Sequence, residues 1–301
     1  IKGEYFMEKV DIICPLYNAS KYIENLQKSI IKQKDVNINK IHYVITKGKD
    51  NTEELVKNIK NEKVEYKVIE PKEFSHSLTR EKEAYESDAD IIVFISQDVK
   101  IVRDDWLYNL VKPIIDNEAD ECYSRQLCDN KSIEKYTREH NYPSTSRTVT
   151  KEDIKELGLN TFFSSDASSA IRRETFVKLK GYDGKKLPTS EDMYITYKLI
   201  MNGNRVRYCA DSEVIHSHDY SSKDQYKKYI LIGMFFEQNK YLNQYNANKS
   251  GMSMARYILK GAIKDRNIKV IFEFLPNMIA RYLGMKVGKK RERNRSANVN
   301  I

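Results

Sequence analysis

Four groups of residues in this sequence could do chemistry on a phosphorylated substrate. Asp98 stands in Ser96-Gln97-Asp98-Val99, directly after the apolar run Ile91 to Ile95. A carboxylate at the end of a buried strand can hold a divalent cation against a diphosphate, although a surface-turn aspartate has the same local pattern. His216-Ser217-His218 puts two imidazoles on one side of a strand. Imidazole suits Mn²⁺ or Zn²⁺ better than Mg²⁺, and a hydrogen-bonded structural pair fits the spacing too. Glu191-Asp192 follows Pro188-Thr189-Ser190 and opens a helical pattern through Tyr194, Tyr197, Leu199 and Ile200. Acidic residues there serve the helix dipole or supply a general base. Phe74 to Arg80 lies at a strand-to-helix transition with His76 and Arg80 four apart. Arg80 can meet a phosphate there, or the segment is simply the first turn of a helix. None of the four decides the matter alone.

These groups need a scaffold that gathers them. Val10 to Cys14 reads as a first strand ended by Pro15, and Asn18-Ala19-Ser20 opens a helix with Tyr22, Ile23, Leu26, Ile30 and Ile31 at helical spacing. Ile41 to Ile45 is a second strand turned by Gly48, Thr52 begins a second helix, Val64 to Ile69 is a third strand, and a helix covers about Ser77 to Glu86. The unbroken run Ile91 to Ile95 suits a central parallel strand covered on both faces. This alternation specifies a doubly wound α/β sheet, whose ligands bind beyond the carboxyl ends of the strands. The places to look are therefore Pro15 to Asn18, Thr46 to Asp50, and Gln97-Asp98. Cys122 to Asn160 is polar and irregular and reads as a helix-containing excursion or a loop. Val206 to Cys209 and Glu213 to His216 read as two short strands. From about Lys223 the pattern is helical, with Ile271, Phe274, Leu275, Met278, Ile279, Tyr282 and Leu283 on one stripe and Pro276 marking a start or a kink.

The 301 residues suffice for one large domain or a domain with an appendage. The net charge of +9 is concentrated late, with six Lys or Arg against one Glu from Lys286 to Arg295. A basic chain favours nucleic acid, nucleotide phosphates or an anionic membrane. The absence of a zinc finger or RNA-recognition motif, and the clustering of charge at one end, argue against nucleic acid. Cys14, Cys122, Cys128 and Cys209 match no zinc or redox spacing. With no secretory signal and no apolar run of ~18–20 residues, the expected location is the cytoplasm. Met7 reads as a natural start, which sets residues 1–6 aside. A nucleotidyltransferase is disfavoured, because Pro15-Leu16-Tyr17-Asn18 stands where such enzymes carry a Gly-rich basic loop.

In order along the chain, Pro15 to Asn18, Phe74 to Arg80, Ile91 to Trp106, Phe163 to Arg173, Glu191-Asp192 and His216 to Ser221 resemble the GT-A-fold, family-2 bacterial glycosyltransferases, within them the rhamnosyltransferase-like branch. The resemblance covers about Val10 to Gly233. It implies a Rossmann-like, mostly parallel central sheet flanked by helices, with a catalytic domain over 7–222 and a helical region with a basic tail over 223–301. It implies that Pro15 and Tyr17, with Asn18, line the base and ribose pocket, and that His76, Arg80 and Gln97 border the donor, Arg80 approaching its diphosphate. Asp98 matches the last Asp of the family's DxD, and His218 matches a late histidine that completes the shell of a divalent metal, Mn²⁺ or Mg²⁺. Asp192 matches the catalytic base, with Glu191 beside it, and Asp166 would sit near the sugar or the acceptor. Two positions depart from the family pattern. Thr46 replaces an acidic residue that contacts the base, leaving Asp50 as a substitute, and the DxD is reduced to Ser96-Gln97-Asp98.

The activity so implied is inverting transfer of a sugar, L-rhamnose from dTDP-rhamnose, onto a lipid-linked surface glycan. A UDP-hexose donor and a catalytically inactive glycan-binding relative are the alternatives. The apolar stripe of the tail would lie on the anionic inner face of the bacterial membrane, pack on the catalytic domain, or form a homodimer.

Overall fold

The computed structural model describes residues 8–245 and 248–299, so Met7 and residues 1–6 lie outside the described residues. Nine strands form one mixed sheet among the described residues. Strands β1 (Lys9–Leu16), β2 (Asn37–Thr46), β3 (Val64–Ile69) and β4 (Ile91–Ile95) pair in parallel in the order β3-β2-β1-β4. Helices α1 (Ser20–Ile31), α2 (Thr52–Lys57) and α3 (His76–Glu86) connect them. A two-residue strand β5 (Lys100–Ile101) and helix α4 (Trp106–Ile115) follow. The second half of the sheet comprises β6 (Glu121–Leu127), β7 (Arg147–Val149), β8 (Ser168–Arg172) and β9 (Val206–Ile215), with α5 (Ile133–Asn141), α6 (Ile154–Leu157), α7 (Arg173–Lys178) and α8 (Glu191–Met201) between them. Strand β8 runs antiparallel between β4 and β6, and β6 pairs with β9 in parallel.

Three expectations are corrected. Pro15 does not end β1, since it pairs with Val44 inside the strand. It is tolerated because β4 contacts β1 only as far as Ile13, so no second ladder requires the missing N–H there. The polar stretch after Cys122 is not an excursion at its start, because β6 is a central strand. Its polar side chains are buried as a network: Trp106 Nε1 donates to Ser124 Oγ and Ser168 Oγ, both at 3.1 Å, and Ser124 Oγ lies 2.8 Å from Ser212 Oγ. The two short late strands are one, β9, whose register against β6 shifts between Ser124 and Arg125.

Successive residues of β1 serve opposite faces. Ile12 and Cys14 pack with Leu26, Trp106 and Leu110, while Ile13 packs with Phe94, Phe176 and Ile195. On the second face, α3 fixes the approach to α8. Ser77 Oγ donates to Lys185 O at 2.7 Å, and Glu81 Oε1 accepts from Tyr182 N at 2.6 Å.

Beyond β9 come α9 (Ser222–Gln238), α10 (Asn248–Lys264) and α11 (Ile268–Val299). Helix α11 continues through Pro276 and starts eight residues before it. It crosses α9 at near backbone contact: a Cβ on Gly288 would stand 2.0 Å from Ile230 O, and one on Gly233 would stand 2.4 Å from Met285 O. The stripe read from the sequence divides here. Phe274 packs beside the cluster of Ile133, Tyr136, Ile258 and Val270, whereas Ile271, Leu275, Ile279, Tyr282 and Leu283 are exposed together with Ile268 and Phe272. That outer face does not pack on the catalytic domain.

Gly288→Val is expected to force α9 and α11 apart and to cost on the order of 1–3 kcal/mol, read as a lower denaturant midpoint. Gly251→Ala, inside α10 where an added methyl meets nothing within 4 Å, is the control and should leave the midpoint unchanged or raise it.

Candidate active site

The carboxyl ends of β1, β2 and β4 open into a cavity of about 420 Å³ lined by Pro15, Leu16, Tyr17, Thr46, Pro71, Phe74, His76, Arg80, Ser96, Gln97 and Asp98. Seven of the residues singled out from the sequence therefore meet in one place. Thr46 is buried and its hydroxyl has no hydrogen-bond partner, so it can serve a ligand in this cavity. Gln97 is a wall rather than a reaching group, since its amide accepts from Tyr17 N at 2.7 Å and donates to Tyr17 O at 3.0 Å. Pro71, beside Phe74, gave no signal in the sequence.

Two expected donor residues stand apart from this cavity. Asn18, held at φ 47°, accepts from Lys49 N at 2.8 Å and occupies the space that any Cβ on Gly48 would need. Asp50 spends one oxygen on Ser20 N and the other on the amide and hydroxyl of Thr52. Burial raises its carboxyl, but the hydrogen bonds from Thr52 and Ser20 together outweigh it and hold the group down at about 2. Asn18 and Asp50 thus brace the loops behind the cavity, because their oxygens are already satisfied by backbone donors.

Arg80, almost wholly buried, donates through Nη1 to Glu191 Oε1 at 3.0 Å and to His76 O at 3.1 Å, while its Nε has no partner. Glu191 is consumed by this ion pair. Its neighbour Asp192 has only the Met193 amide, at 2.7 Å. Burial first, then the charges of Glu191 and Asp166, pushes the Asp192 carboxyl well above the usual carboxylate range. Ser190, just before the pair, adopts φ 59°, a strained conformation of the kind stored at functional sites. Asp166 lines neither this cavity nor the next. It accepts from Ser169 Oγ at 2.7 Å and from Tyr182 OH at 2.9 Å, and burial raises it, so it supports Arg80 and Asp192 from beneath.

Asp192 opens on a second cavity, of about 370 Å³, shared with Arg138, Ser165, His216, His218, Lys228 and Arg281. Asp98, His216 and His218 offer ligand atoms all within 4.8 Å of one another. Asp98 lies at 3.5 Å from His216 Nε2 and 3.8 Å from His218 Nε2. Because Asp98 lines the first cavity and the histidines line the second, this cluster is where the two spaces meet. His216 joins the pair expected from the resemblance. Its Nδ1 lies 2.8 Å from Gln126 Oε1, an oxygen that also accepts from Arg138 Nη1, and its Nε2 lies 2.9 Å from His218 Nε2 and 3.5 Å from Asp98. Burial and His216 hold His218 down at about 4, a neutral imidazole at pH 7. One carboxylate and two imidazoles fit a divalent transition-metal ion.

Glu121, missed in the sequence because it reads as a polar loop residue, lies beneath Asp192. It accepts from Ser164 Oγ at 2.5 Å and from Thr196 Oγ1 at 2.9 Å, tying α8 to the segment before β8. Burial, against the Ser164 hydrogen bond, pushes its carboxyl up to about 8.

Residues 11–179 match the family described as Glycosyl transferase family 2. The O-antigen chain rhamnosyltransferase RfbN of Salmonella typhimurium is 30% identical over 286 residues, covering 93% of this chain and 90% of that protein. The O-antigen chain rhamnosyltransferase WbaN of Salmonella anatum is 26% identical, over 94% and 90%. Among solved structures, the mannosyltransferase PcManGT from Pyrobaculum calidifontis, in complex with GDP-Man and Mn²⁺, superposes with a TM-score of 0.60 at 14% identity, over 96% of this chain and 88% of that one. That likeness shows the GT-A fold.

Because the folded state disfavours ionised Glu121, its stabilising contribution is complete below the ordinary value of 4.5 and is lost as pH rises through about 8. Glu121→Gln cannot ionise, so thermal melts should show the wild type losing ground to the variant between pH 5 and 9. Parallel curves would refute the assignment.

Proposed function

The chain belongs to glycosyl transferase family 2 and is a glycosyltransferase, and from that premise we propose that it transfers L-rhamnose from dTDP-rhamnose, with inversion, to a lipid-linked surface glycan. The observation that supports this reading is the pair of adjoining cavities, one at the strand ends and one holding Asp192, meeting at Asp98, His216 and His218. The similarity to RfbN and WbaN, both O-antigen chain rhamnosyltransferases, favours rhamnose and an O-antigen acceptor.

In this mechanism the base and ribose lie against Pro15, Tyr17 and Phe74 with Thr46 in hydrogen-bond reach, and the diphosphate points toward Asp98 and Arg80. Asp98, His216 and His218 would hold a divalent cation, best Mn²⁺, which when bound would supply a Lewis acid for the charge that builds on the leaving nucleoside diphosphate. Arg80, held in place by Glu191, lines the same cavity with an unpartnered Nε and offers that charge a fixed donor that needs no reorganisation. Asp192 takes the proton of the acceptor hydroxyl as its oxygen attacks the anomeric carbon and the bond to the diphosphate breaks. Glu191 cannot share that task while it neutralises Arg80.

The exposed apolar face of α11, with Phe272 76% exposed and Lys269, Lys286, Lys289 and Lys290 on the same helix, supports binding to an anionic membrane. Among the described residues no helix is long and apolar enough to cross a membrane, so the association would be peripheral, on the cytoplasmic face.

With dTDP-rhamnose and Mn²⁺, Asp192→Asn should bind donor normally and lose ~10²–10⁴ in turnover. Because Asp192 acts ionised and its carboxyl is raised, the acid limb of wild-type kcat/KM should fall above the ordinary carboxylate value of 3.8. Near-normal transfer by the Asn variant would overturn the base assignment. Separately, Phe272→Asp combined with Leu275→Asp should abolish co-flotation with anionic phospholipid vesicles. Flotation equal to wild type would remove α11 from the membrane account.

A further inference from the structure

Two cations in the Asp192 cavity lack an acidic partner. Arg281, on α11, is only 9% exposed. Its Nε donates to Asn277 Oδ1 at 2.7 Å and its Nη1 to Tyr229 OH at 3.2 Å, with the guanidinium over the Tyr229 ring at 5.4 Å. All these partners are neutral, and no carboxylate pairs with it among the described residues. Lys228, one helix turn along α9 from Asp224, reaches the face of Tyr220 at 5.0 Å and likewise has no ion pair there. Its side chain is exposed to solvent, and the carboxylate that attracts it most is Glu134. Glu134 is itself taken by Arg138 at 2.9 Å.

A buried guanidinium is normally paired, because taking it out of water without a counter-charge is costly. Here the scaffold spends three contacts from two residues, Asn277 and Tyr229, on orienting Arg281 and supplies no anion. The missing counter-charge therefore belongs to a ligand. The ligand's position identifies it. Arg281 and Lys228 stand on the Asp192 side, lining its cavity, and that cavity shares no lining residue with the strand-end cavity. That is the side from which an acceptor must present its hydroxyl. The same space continues into a larger cavity of about 800 Å³ with walls of Tyr123, Leu157, Leu159, Tyr208, Phe236 and Met285. A ligand satisfying both is anionic at one end and apolar beyond it.

We propose that Arg281 and Lys228 form an anion subsite that holds the phosphate nearest the glycan of a lipid-diphosphate acceptor, with the adjoining apolar cavity taking the first part of its lipid. This rests on the glycosyltransferase reading above and narrows the acceptor to one whose attacked sugar stands close to its diphosphate, because hydroxyl and phosphate share one small cavity. The donor's own diphosphate is provided for elsewhere, by Asp98, the two histidines and Arg80.

The probe is farnesyl diphosphate, titrated calorimetrically into the full chain with Mn²⁺ and saturating dTDP, with inorganic pyrophosphate and farnesol as separate arms. Farnesyl diphosphate should bind while dTDP stays bound, and more tightly than either partial probe. Lys228→Gln and Arg281→Gln should each weaken it on the order of tenfold without changing dTDP affinity, and Arg281→Lys should recover part of the loss. Should Arg281→Gln fail to fold, the solvent-facing Lys228→Gln carries the test. Displacement of farnesyl diphosphate by dTDP, equal binding of pyrophosphate, or indifference to the variants would each overturn the proposal. Failure of dTDP itself to bind wild type would instead strike the donor reading.

Discussion

The site depends on one buried ion pair. Arg80 comes from α3, in the parallel half of the sheet, and Glu191 from the first turn of α8, across the antiparallel junction. Both are more than nine-tenths buried. Two charges removed from water repay their desolvation only with good geometry and further hydrogen bonds, and Arg80 has the His76 carbonyl and the Phe94 ring as additional partners. The pair thus locks the two halves at one relative position. It also sorts two adjacent carboxylates. Glu191 is neutralised and structural, while Asp192 inherits burial and a like-charged neighbour, the conditions that make a carboxylate a stronger base.

What surrounds the pair is a polar layer inside the core. Glu121, Ser164, Thr196, Ser124, Ser168 and Ser212 are buried and linked by hydrogen bonds to one another or to Trp106. Such groups stabilise little individually, but each must be satisfied. Their geometry leaves few alternative packings for β6, β8 and α8, and those elements present Asp192 and the histidines. Rigidity where the reacting groups sit is what preorganised electrostatics requires.

That polar layer also explains what the sequence disclosed and what it withheld. The buried strands β1 and β4 and helix α1 follow plain apolar patterns, so the parallel half and the place of Asp98 were readable. Strand β6 carries Glu121, Ser124 and Gln126 inward, and inward polarity erases the period on which strand recognition rests. The pairing of His216 with Asp98 was hinted by its two-residue spacing from His218, yet Gln126, which contacts its Nδ1, left no local trace. Asn18 and Asp50 had the right residue types at the right strand ends. Nothing local distinguishes a carboxylate that braces a loop from one that meets a ligand, because the difference lies in backbone donors about thirty residues away. Arg281 was invisible for the opposite reason: it stood in a tail whose cations looked solvated.

The C-terminal helices complete the site rather than trail from it. Gly233, Gly284 and Gly288 let α9 and α11 touch backbone to backbone, which sets Lys228 and Tyr229 of one helix beside Arg281 of the other. The opposite face of α11 is the exposed apolar stripe. One helix therefore presents a cation inward to the Asp192 cavity and apolar side chains outward. An acceptor embedded by its lipid in a bilayer has its phosphate at the interface, and a helix lying in that interface would bring Arg281 to the same depth. On this geometry, binding the membrane and binding the acceptor are two faces of one element, and the glycine crossing keeps them in register.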